Sequence, residues 1–204
     1  MGRPKTYDQA SGEVLLDAAE ALAASGGPGA VSVRAVAERS GTTTRAVYSV
    51  FGSKAGLLAA LGTRLFMLLG QGVAKLPETD DPAADLVAAG VGVFRHLSVT
   101  RSALFEIGVR HTAIDSAIIH DFVPAAGEAW NILESRFQRL QDAGGLPGRN
   151  PSTAARHFNA LCEGLVTMER RRSMSPATAR REWRDALSAL LAGMATAPEA
   201  SRTR

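Results

Sequence analysis

Residues 32–54 read SVRAVAERSGTTTRAVYSVFGSK, and this stretch decides how the N-terminal part of the chain folds. Apolar side chains recur at the helical period on both sides of one glycine, with Val33, Val36 and Ala37 before it and Val47 and Val50 after it. Gly41 can adopt a positive φ in a turn without steric cost. The spacing predicts two short helices that cross at about 90–120° over a tight turn.

The second of these helices is expected to have a polar outer face. With the two valines turned toward the first helix, the outward positions are Thr44, Arg45, Tyr48 and Ser49. Their side chains are suited to base edges and phosphate oxygens, and the free N–H groups at the helix start offer a further seat for phosphate. An ordinary helical hairpin with a solvated polar face is the alternative that the spacing alone leaves open.

The flanking residues make the pattern more specific. From about Val14 to Leu58 the sequence resembles the TetR (tetracycline-repressor-like) family of bacterial transcriptional regulators. The resemblance rests on these residues together: Asp17-Ala18-Ala19, Gly26-Gly27, Val31-Ser32-Val33, Val36-Ala37, Ser40-Gly41, Val47-Tyr48, Phe51, Lys54 and Leu57.

By this resemblance, phosphate contacts are expected at Ser32, Thr43, Tyr48 and Lys54, and base contacts in the major groove at Thr44, Arg45 and Ser49. Arg3 and Lys5 are candidates for an N-terminal arm in the minor groove, which favours inserted basic side chains. A terminus with two solvated charges is the alternative.

Three positions depart from the family pattern. Val50 stands where a histidine is frequent, so a phosphate contact there is not expected. Ser40 replaces the usual alanine. Ala55 and Gly56 replace a pair that favours helix more strongly, so a looser start is expected for the fourth helix.

The rest of the chain is also expected to be helical. Three junctions pair a capping residue with a proline at the first helical position, namely Asp81-Pro82, Asn150-Pro151 and Ser175-Pro176. Because alternating strand patterns are nearly absent, we predict an all-α fold of about nine helices. Residues 1–60 would form a three-helix helix-turn-helix DNA-binding domain, and residues 61–200 a larger helical domain for effector binding and dimerisation.

Two groups of residues in this second domain are predicted to be functional. Side chains on apolar stripes are candidates for lining a ligand pocket: Phe94, Leu97, Phe105, His111, Trp130, Leu133, Phe158 and Cys162. By the resemblance, the last two helices would pair with their copies in a second subunit through Gly164, Trp183, Leu187, Leu190 and Leu191. Burial in the protein's own core is the alternative for both groups. Solvated charge is the simpler interpretation of Arg170–Arg172 and Arg180–Arg181, with a second nucleic-acid surface as the other.

Composition excludes several classes of protein. The 204 residues include one cysteine, Cys162, and carry a net charge of +3. A single cysteine cannot form an internal disulfide and fits a reducing cytoplasm. The sequence shows no run of about 20 apolar residues for a membrane span, no catalytic or cofactor motif, and no histidine pair at metal-ligand spacing.

These observations lead to one expectation and two alternatives. The expected function is that of a cytoplasmic, homodimeric transcriptional regulator, not an enzyme, without a cofactor or metal. It would be a repressor that a small apolar effector releases from a palindromic DNA operator. The alternatives are a constitutive DNA-binding protein without a ligand and a helical protein-interaction module.

Overall fold

The computed structural model describes residues 6–111, 119–172 and 174–196, with side chains over 12–109, 124–172 and 174–196. Its α-helices are α1 (Thr6–Gly26), α2 (Val33–Arg39), α3 (Thr44–Phe51), α4 (Lys54–Ala74), α5 (Pro82–Ala89), α6 (His96–Thr100), α7 (Ser102–His111), α8 (Ile119–Asp142), α9 (Pro151–Arg172) and α10 (Pro176–Met194). A 3-10 turn, Pro28–Ala30, precedes α2, and a π-helical turn, Gly90–Arg95, joins α5 to α6 without a break. With 82–100 taken as one continuous helix, these ranges hold nine longer helices and no strand. The all-α prediction is confirmed.

Three helices begin at the prolines that the sequence indicated. In each, the side chain before the proline accepts a hydrogen bond from the N–H three residues further on: Asp81 from Ala84 at 3.0 Å, Asn150 from Thr153 at 3.1 Å, and Ser175 from Thr178 at 3.2 Å. Each bond satisfies one of the N–H groups that a helix start leaves without a partner.

One compact unit comprises Met1–Leu68 and Val99–Gly127. Its core is made of branched apolar side chains that are almost fully buried, namely Val31, Val36, Val47, Leu57, Leu61, Leu65, Leu104 and Ile107. The helices α2 and α3 both pack on α1. At Gly108, α7 approaches α4 so closely that a Cβ would overlap the side chain of Leu65.

An ion-pair cluster holds α1 to α4 in this unit. Arg64, on α4, donates to Glu13 at 2.5 Å, to Asp17 at 2.7 Å and to Glu20 at 3.1 Å, and Arg101 donates to Glu20 at 2.6 Å. Burial alone would lower the pKa of Arg64, but its hydrogen bonds to the three carboxylates outweigh that effect and raise the pKa above its ordinary value. The cluster therefore fixes α1, on which α2 and α3 rest.

The second compact unit comprises Leu69–Ser98 and Glu128–Arg204. Phe158 packs edge-on against Phe94 and Phe137, with ring centroids 6.3 and 5.5 Å apart. Because Gly90 has no side chain, Leu187 and Phe158 can both approach the π-helical turn. The π-helical turn ends at the buried residue Arg95, and α6 follows it without a break.

Two arginines of α8 close the end of α4. Arg136 is buried and donates to the carbonyl oxygens of Val73, Leu76 and Pro77 at 2.7–3.1 Å. The carbonyls of Leu76 and Pro77 follow the last backbone hydrogen bonds of α4, so the guanidinium supplies donors that they lack, and it adds a second donor to Val73, which already accepts from the N–H of Leu76 at 3.2 Å. Arg139 donates to the buried carboxylate of Asp85 at 3.1 Å. The loop between α4 and α5 is therefore held by charge.

By length and composition, α4 would be long and apolar enough to cross a membrane, with 21 residues and a mean hydropathy of 1.5. No stretch of this kind was expected from the sequence. A single helix of this kind is weak support for a span, since core helices share it. Here Leu57, Leu61 and Leu65 are buried in the protein, and Arg64 at mid-helix binds three carboxylates.

Candidate nucleic-acid interface

The pair α2–α3 has the geometry that the sequence predicted around Gly41. Val36 and Val47 are completely buried and Ala37 nearly so, so the inner faces of both helices are packed away from solvent. Gly41 has a φ of 66°, a conformation that costs other residues energy. The N–H of Gly41 donates to Glu38 at 3.2 Å and the N–H of Thr42 donates to Ala37 at 2.9 Å. These two bonds form a Schellman motif, which ends α2 and sets the angle at which α3 begins.

Two residues predicted to contact phosphate serve as helix caps. The hydroxyl of Ser32 accepts from the N–H of Ala35 at 3.1 Å, and that of Thr43 accepts from Ala46 at 3.2 Å. A hydroxyl has one hydrogen to donate besides the lone pairs with which it accepts. Each cap therefore keeps its O–H available for an oxygen outside the protein.

The outer face of α3 is open to solvent. Thr44, Arg45 and Ser49 are exposed, and Tyr48 is 52% exposed. Lys54, at the start of α4, is exposed as well. The structure thus places the predicted base and phosphate contacts of α3 on one accessible surface, while Val47 between them points inward.

Two further basic residues lie close to this surface and were not predicted as contacts. Arg34 and Arg39, on α2, are exposed, and no hydrogen bond or ion pair engages them within the described residues. Together with Arg45 and Lys54 they give residues 32–54 four basic side chains against one acidic side chain, Glu38. This excess of basic residues over a short stretch is the sequence signal that could have identified them.

Two of the departures from the family pattern have local explanations. Val50 is half-buried beside α1, where a Cβ at Gly12 would lie 3.6 Å from its Cγ1. Gly56 lies so close to Phe51 that a Cβ would overlap the carbonyl oxygen of that residue. Its N–H donates to the Oγ of Ser53 at 2.9 Å, so α4 begins with a side-chain cap despite its glycine.

The predicted arm, Arg3 and Lys5, lies outside the described residues, and so does the side chain of His111. Of the other predicted pocket residues, Phe105 is buried in the first unit, whereas Phe94, Leu97, Leu133, Phe158 and Cys162 are buried in the second. Trp130 is half-buried. Burial, and then the charge of Glu163, raise the pKa of the Cys162 thiol. The role of these predicted pocket residues in ligand binding stays a prediction.

The predicted dimer residues divide into two groups. Trp183, Leu187 and Leu191 are buried within the second unit, as the own-core alternative describes. Gly164 is exposed, and a Cβ at its position would meet no atom within 4 Å, while Leu190 is half-buried. In the described ranges no three His, Cys, Asp or Glu side chains are placed to hold a metal ion.

Comparisons with solved structures show how widely this fold occurs. A protein of unknown function from Rhodococcus sp. RHA1 superposes with a TM-score of 0.79 at 20% identity, over 91% of this chain and 96% of that one. The TetR family transcriptional regulator PfmR from Thermus thermophilus gives 0.66 at 19% identity, over 87% and 96%. SmeT in complex with triclosan gives 0.65 at 26% identity, over 96% and 99%. Among curated proteins no match was found.

Family models give the more specific result. The model of bacterial regulatory proteins of the tetR family matches residues 15–61, which include α2 and α3. The model of the C-terminal domain of AefR-like transcriptional repressors matches residues 85–196, more than half of the chain. The chain therefore belongs to the TetR family of transcriptional regulators, with a DNA-binding N-terminal domain and a ligand-binding helical C-terminal domain.

Proposed function

We propose that this protein is a cytoplasmic, homodimeric repressor that leaves a roughly palindromic operator when a small apolar effector binds to its C-terminal domain. The observation that carries the DNA-binding part is the outer face of α3, where four polar side chains are exposed around a fully buried Val47. A helix held rigidly on one side and free on the other has the shape that the major groove admits.

The exposed residues divide into two roles. Thr44, Arg45 and Ser49 contact base edges, so their loss changes which sequences are bound. Ser32, Thr43, Tyr48 and Lys54 contact phosphates, and Arg3 and Lys5 follow the adjacent minor groove. Arg34 and Arg39 add charge beside them and strengthen binding to any duplex.

Each subunit of the dimer would present one helix-turn-helix head, the pair α2–α3. The separation of the two heads must match the helical repeat of the DNA. Half-sites that face the same side of the duplex lie about 34–36 Å apart, or at a multiple of this distance. An effector that favours a different separation of the heads releases the operator. To shift the balance from 1:99 to 99:1 it must prefer the released state by about 5.5 kcal/mol.

Two comparisons support the repressor and effector parts. The matched C-terminal model describes transcriptional repressors, and the solved SmeT structure holds triclosan, a small molecule. The apolar, aromatic surroundings of Phe94 and Phe158 suit an effector of low polarity.

A gel shift tests the DNA-binding part. The probe is the DNA that flanks the protein's own gene, and the proteins are the wild type, Arg45→Ala, Tyr48→Ala and Lys54→Ala. We expect weaker binding by all three variants, with altered base preference only for Arg45→Ala and a smaller salt dependence for Lys54→Ala. Lys75→Ala, an exposed basic residue outside the head, is the control. If the wild type ignores this DNA at low salt, the interaction-module alternative replaces the proposal.

A thermal-shift screen with apolar compounds tests the effector part. A compound that raises the unfolding temperature progressively, with the logarithm of its concentration, and that also dissociates the gel-shift complex, supports the proposal. Stabilisation that leaves DNA binding unchanged, or no stabilisation at all, favours the constitutive DNA-binding alternative. Phe158→Leu serves as the variant that should change the effector response.

A further inference from the structure

Two classes stand out among the arginines whose side chains the structure describes. Seven donate hydrogen bonds to groups on another helix, on a loop or on their own helix. They are Arg64, Arg95, Arg101, Arg136, Arg139, Arg149 and Arg156. Eight others in the described part of the chain are exposed, and no such bond engages them. Three of these eight, Arg34, Arg39 and Arg45, lie on α2 and α3. The other five are Arg171, Arg172, Arg180, Arg181 and Arg184.

These five residues lie on both sides of the turn between α9 and α10, at the end of one helix and in the first half of the next, and we call them the α9–α10 arginine cluster. Residues 170–184 contain six arginines against one acidic residue, a local charge of +5, while the whole chain carries only +3. Arg180, Arg181 and Arg184 have the spacing of one face of a helix. The positive charge is therefore concentrated in a short stretch of sequence, although Glu169 and Asp185 stand directly beside it.

Helix stability explains only part of this arrangement. Arg171 and Arg172 occupy the last turn of α9, where cations are favourable. Arg180 and Arg181 lie near the beginning of α10, which has no acidic residue in its first turn to balance them. Cations near a helix N-terminus gain nothing from the helix dipole. Their clustering points to an anionic partner.

The cluster rests on a rigid support. Glu169 accepts hydrogen bonds from Arg95 at 2.8 and 3.1 Å and from the indole N–H of Trp183 at 2.9 Å. The end of α9 is thus joined to α10 and to the π-helical turn. Arg95 is three residues from Ser98, where the chain leaves the second unit. The helices that carry the arginines are therefore held to one another, while the exposed side chains keep their own rotamer freedom.

We propose that the α9–α10 arginine cluster is a second, sequence-independent contact with the phosphate backbone of duplex DNA. This proposal rests on the proposed function, because DNA is the polyanion that a transcriptional regulator meets. The arginines of α2 and α3 are likewise exposed and make no hydrogen bond or ion pair within the described residues. Arginine suits this ligand because its planar group binds phosphate through paired N–H donors. The contact adds affinity to every duplex and does not read bases.

The test measures the salt dependence of binding to a labelled duplex of arbitrary sequence by fluorescence anisotropy, with the full chain. Arg180→Gln/Arg181→Gln removes two positive charges from the cluster. Lys75→Gln/Arg156→Gln removes two exposed positive charges elsewhere and is the matched control. We expect the slope of log affinity against log salt to fall by about 2 per contacting subunit in the first variant, since each phosphate contact contributes about 0.9. The control variant should keep the wild-type slope. Arg180→Lys/Arg181→Lys keeps both positive charges and should have a slope close to that of the wild type.

Repeating the measurement in an Arg45→Ala background separates this contact from the helix-turn-helix head. In this background, replacing Arg180 and Arg181 should lower the salt slope for the arbitrary duplex by the same amount as in the wild type, because Lys54, Arg34 and Arg39 of the head are unchanged. Equal slopes for the cluster variant and its control, with unchanged unfolding temperatures, overturn the proposal and leave an acidic protein as the partner to seek. Failure of the operator gel shift is a separate result, because the arbitrary duplex does not depend on base readout.

Discussion

Arg95 and Glu169 form a two-bond ion pair in the second unit, with Nε 3.1 Å from Oε2 and Nη2 2.8 Å from Oε1. Both side chains are largely withdrawn from solvent. The residues are 74 positions apart in the sequence, so the pair joins the π-helical turn to α9. The indole N–H of Trp183 donates to the same carboxylate, which satisfies a further polar group in the core.

Removing one partner of this pair should destabilise the protein strongly. Arg95→Met or Glu169→Leu leaves a buried charge uncompensated, and we expect each to cost about 3–5 kcal/mol in the free energy of unfolding. The double variant should cost less than the sum, since neither charge remains. Urea unfolding at one fixed protein concentration measures this. Glu163→Gln, an exposed residue on the same helix, should change stability by less than about 0.5 kcal/mol. Additive single effects would contradict a coupled pair.

The cap at Thr43 should contribute to both stability and DNA binding. Thr43→Ala removes the acceptor for the N–H of Ala46 and should cost about 1 kcal/mol. Asn150→Ala removes a cap of similar geometry at the start of α9 and should cost a similar amount. Only Thr43→Ala should weaken binding in the gel shift, for all sequences alike. Its salt dependence should stay unchanged, because a hydroxyl carries no charge. Equal affinity of the two variants would remove Thr43 from the interface.

The sequence predicted those features that depend on neighbouring residues. The starts of α5, α9 and α10 follow from a capping side chain next to a proline, and the turn at Gly41 follows from a glycine between two apolar stripes. Both signals lie within a few residues of the structure that they specify. The division into a DNA-binding domain over 1–60 and a larger domain over 61–200 stays a prediction.

Features that depend on distant residues were not predictable in this way. A π-helical turn of six residues leaves no period of its own in the sequence, and nothing near Arg95 or Arg136 indicates that their partners lie on other helices. An apolar stripe shows which face of α10 is covered and does not show what covers it. The assignment of Trp183, Leu187 and Leu191 to a dimer surface comes from the family resemblance and stays a prediction, while within one chain the structure buries them in their own unit.

The left-handed conformation of Gly41 should make it sensitive to substitution. At a φ of 66° a Cβ meets the following carbonyl, so Gly41→Ala should lower the free energy of unfolding by about 1–2 kcal/mol. The control is Gly127→Ala, at an exposed position in α8 where a Cβ meets no atom within 4 Å. It should raise stability by about 0.5–1 kcal/mol, because alanine is the better helix former. Urea midpoints measure both, and stabilisation by Gly41→Ala would contradict the turn described here.

Asp85 should make the stability of the protein sensitive to acid. Burial alone would raise its pKa, but hydrogen bonds from the N–H and hydroxyl of Thr79, each at 2.8 Å, and from Arg139 lower it below its ordinary value. As the pH falls, the unfolded chain takes up this proton first, near a pKa of about 3.9. The stabilisation is therefore complete above that pH and is lost as the pH falls through the lower folded value. Asp85→Asn should be clearly less stable than the wild type at neutral pH, and the difference between their urea midpoints should shrink below about pH 4. A difference that stays constant down to about pH 3 would show that the carboxylate charge contributes nothing to the fold.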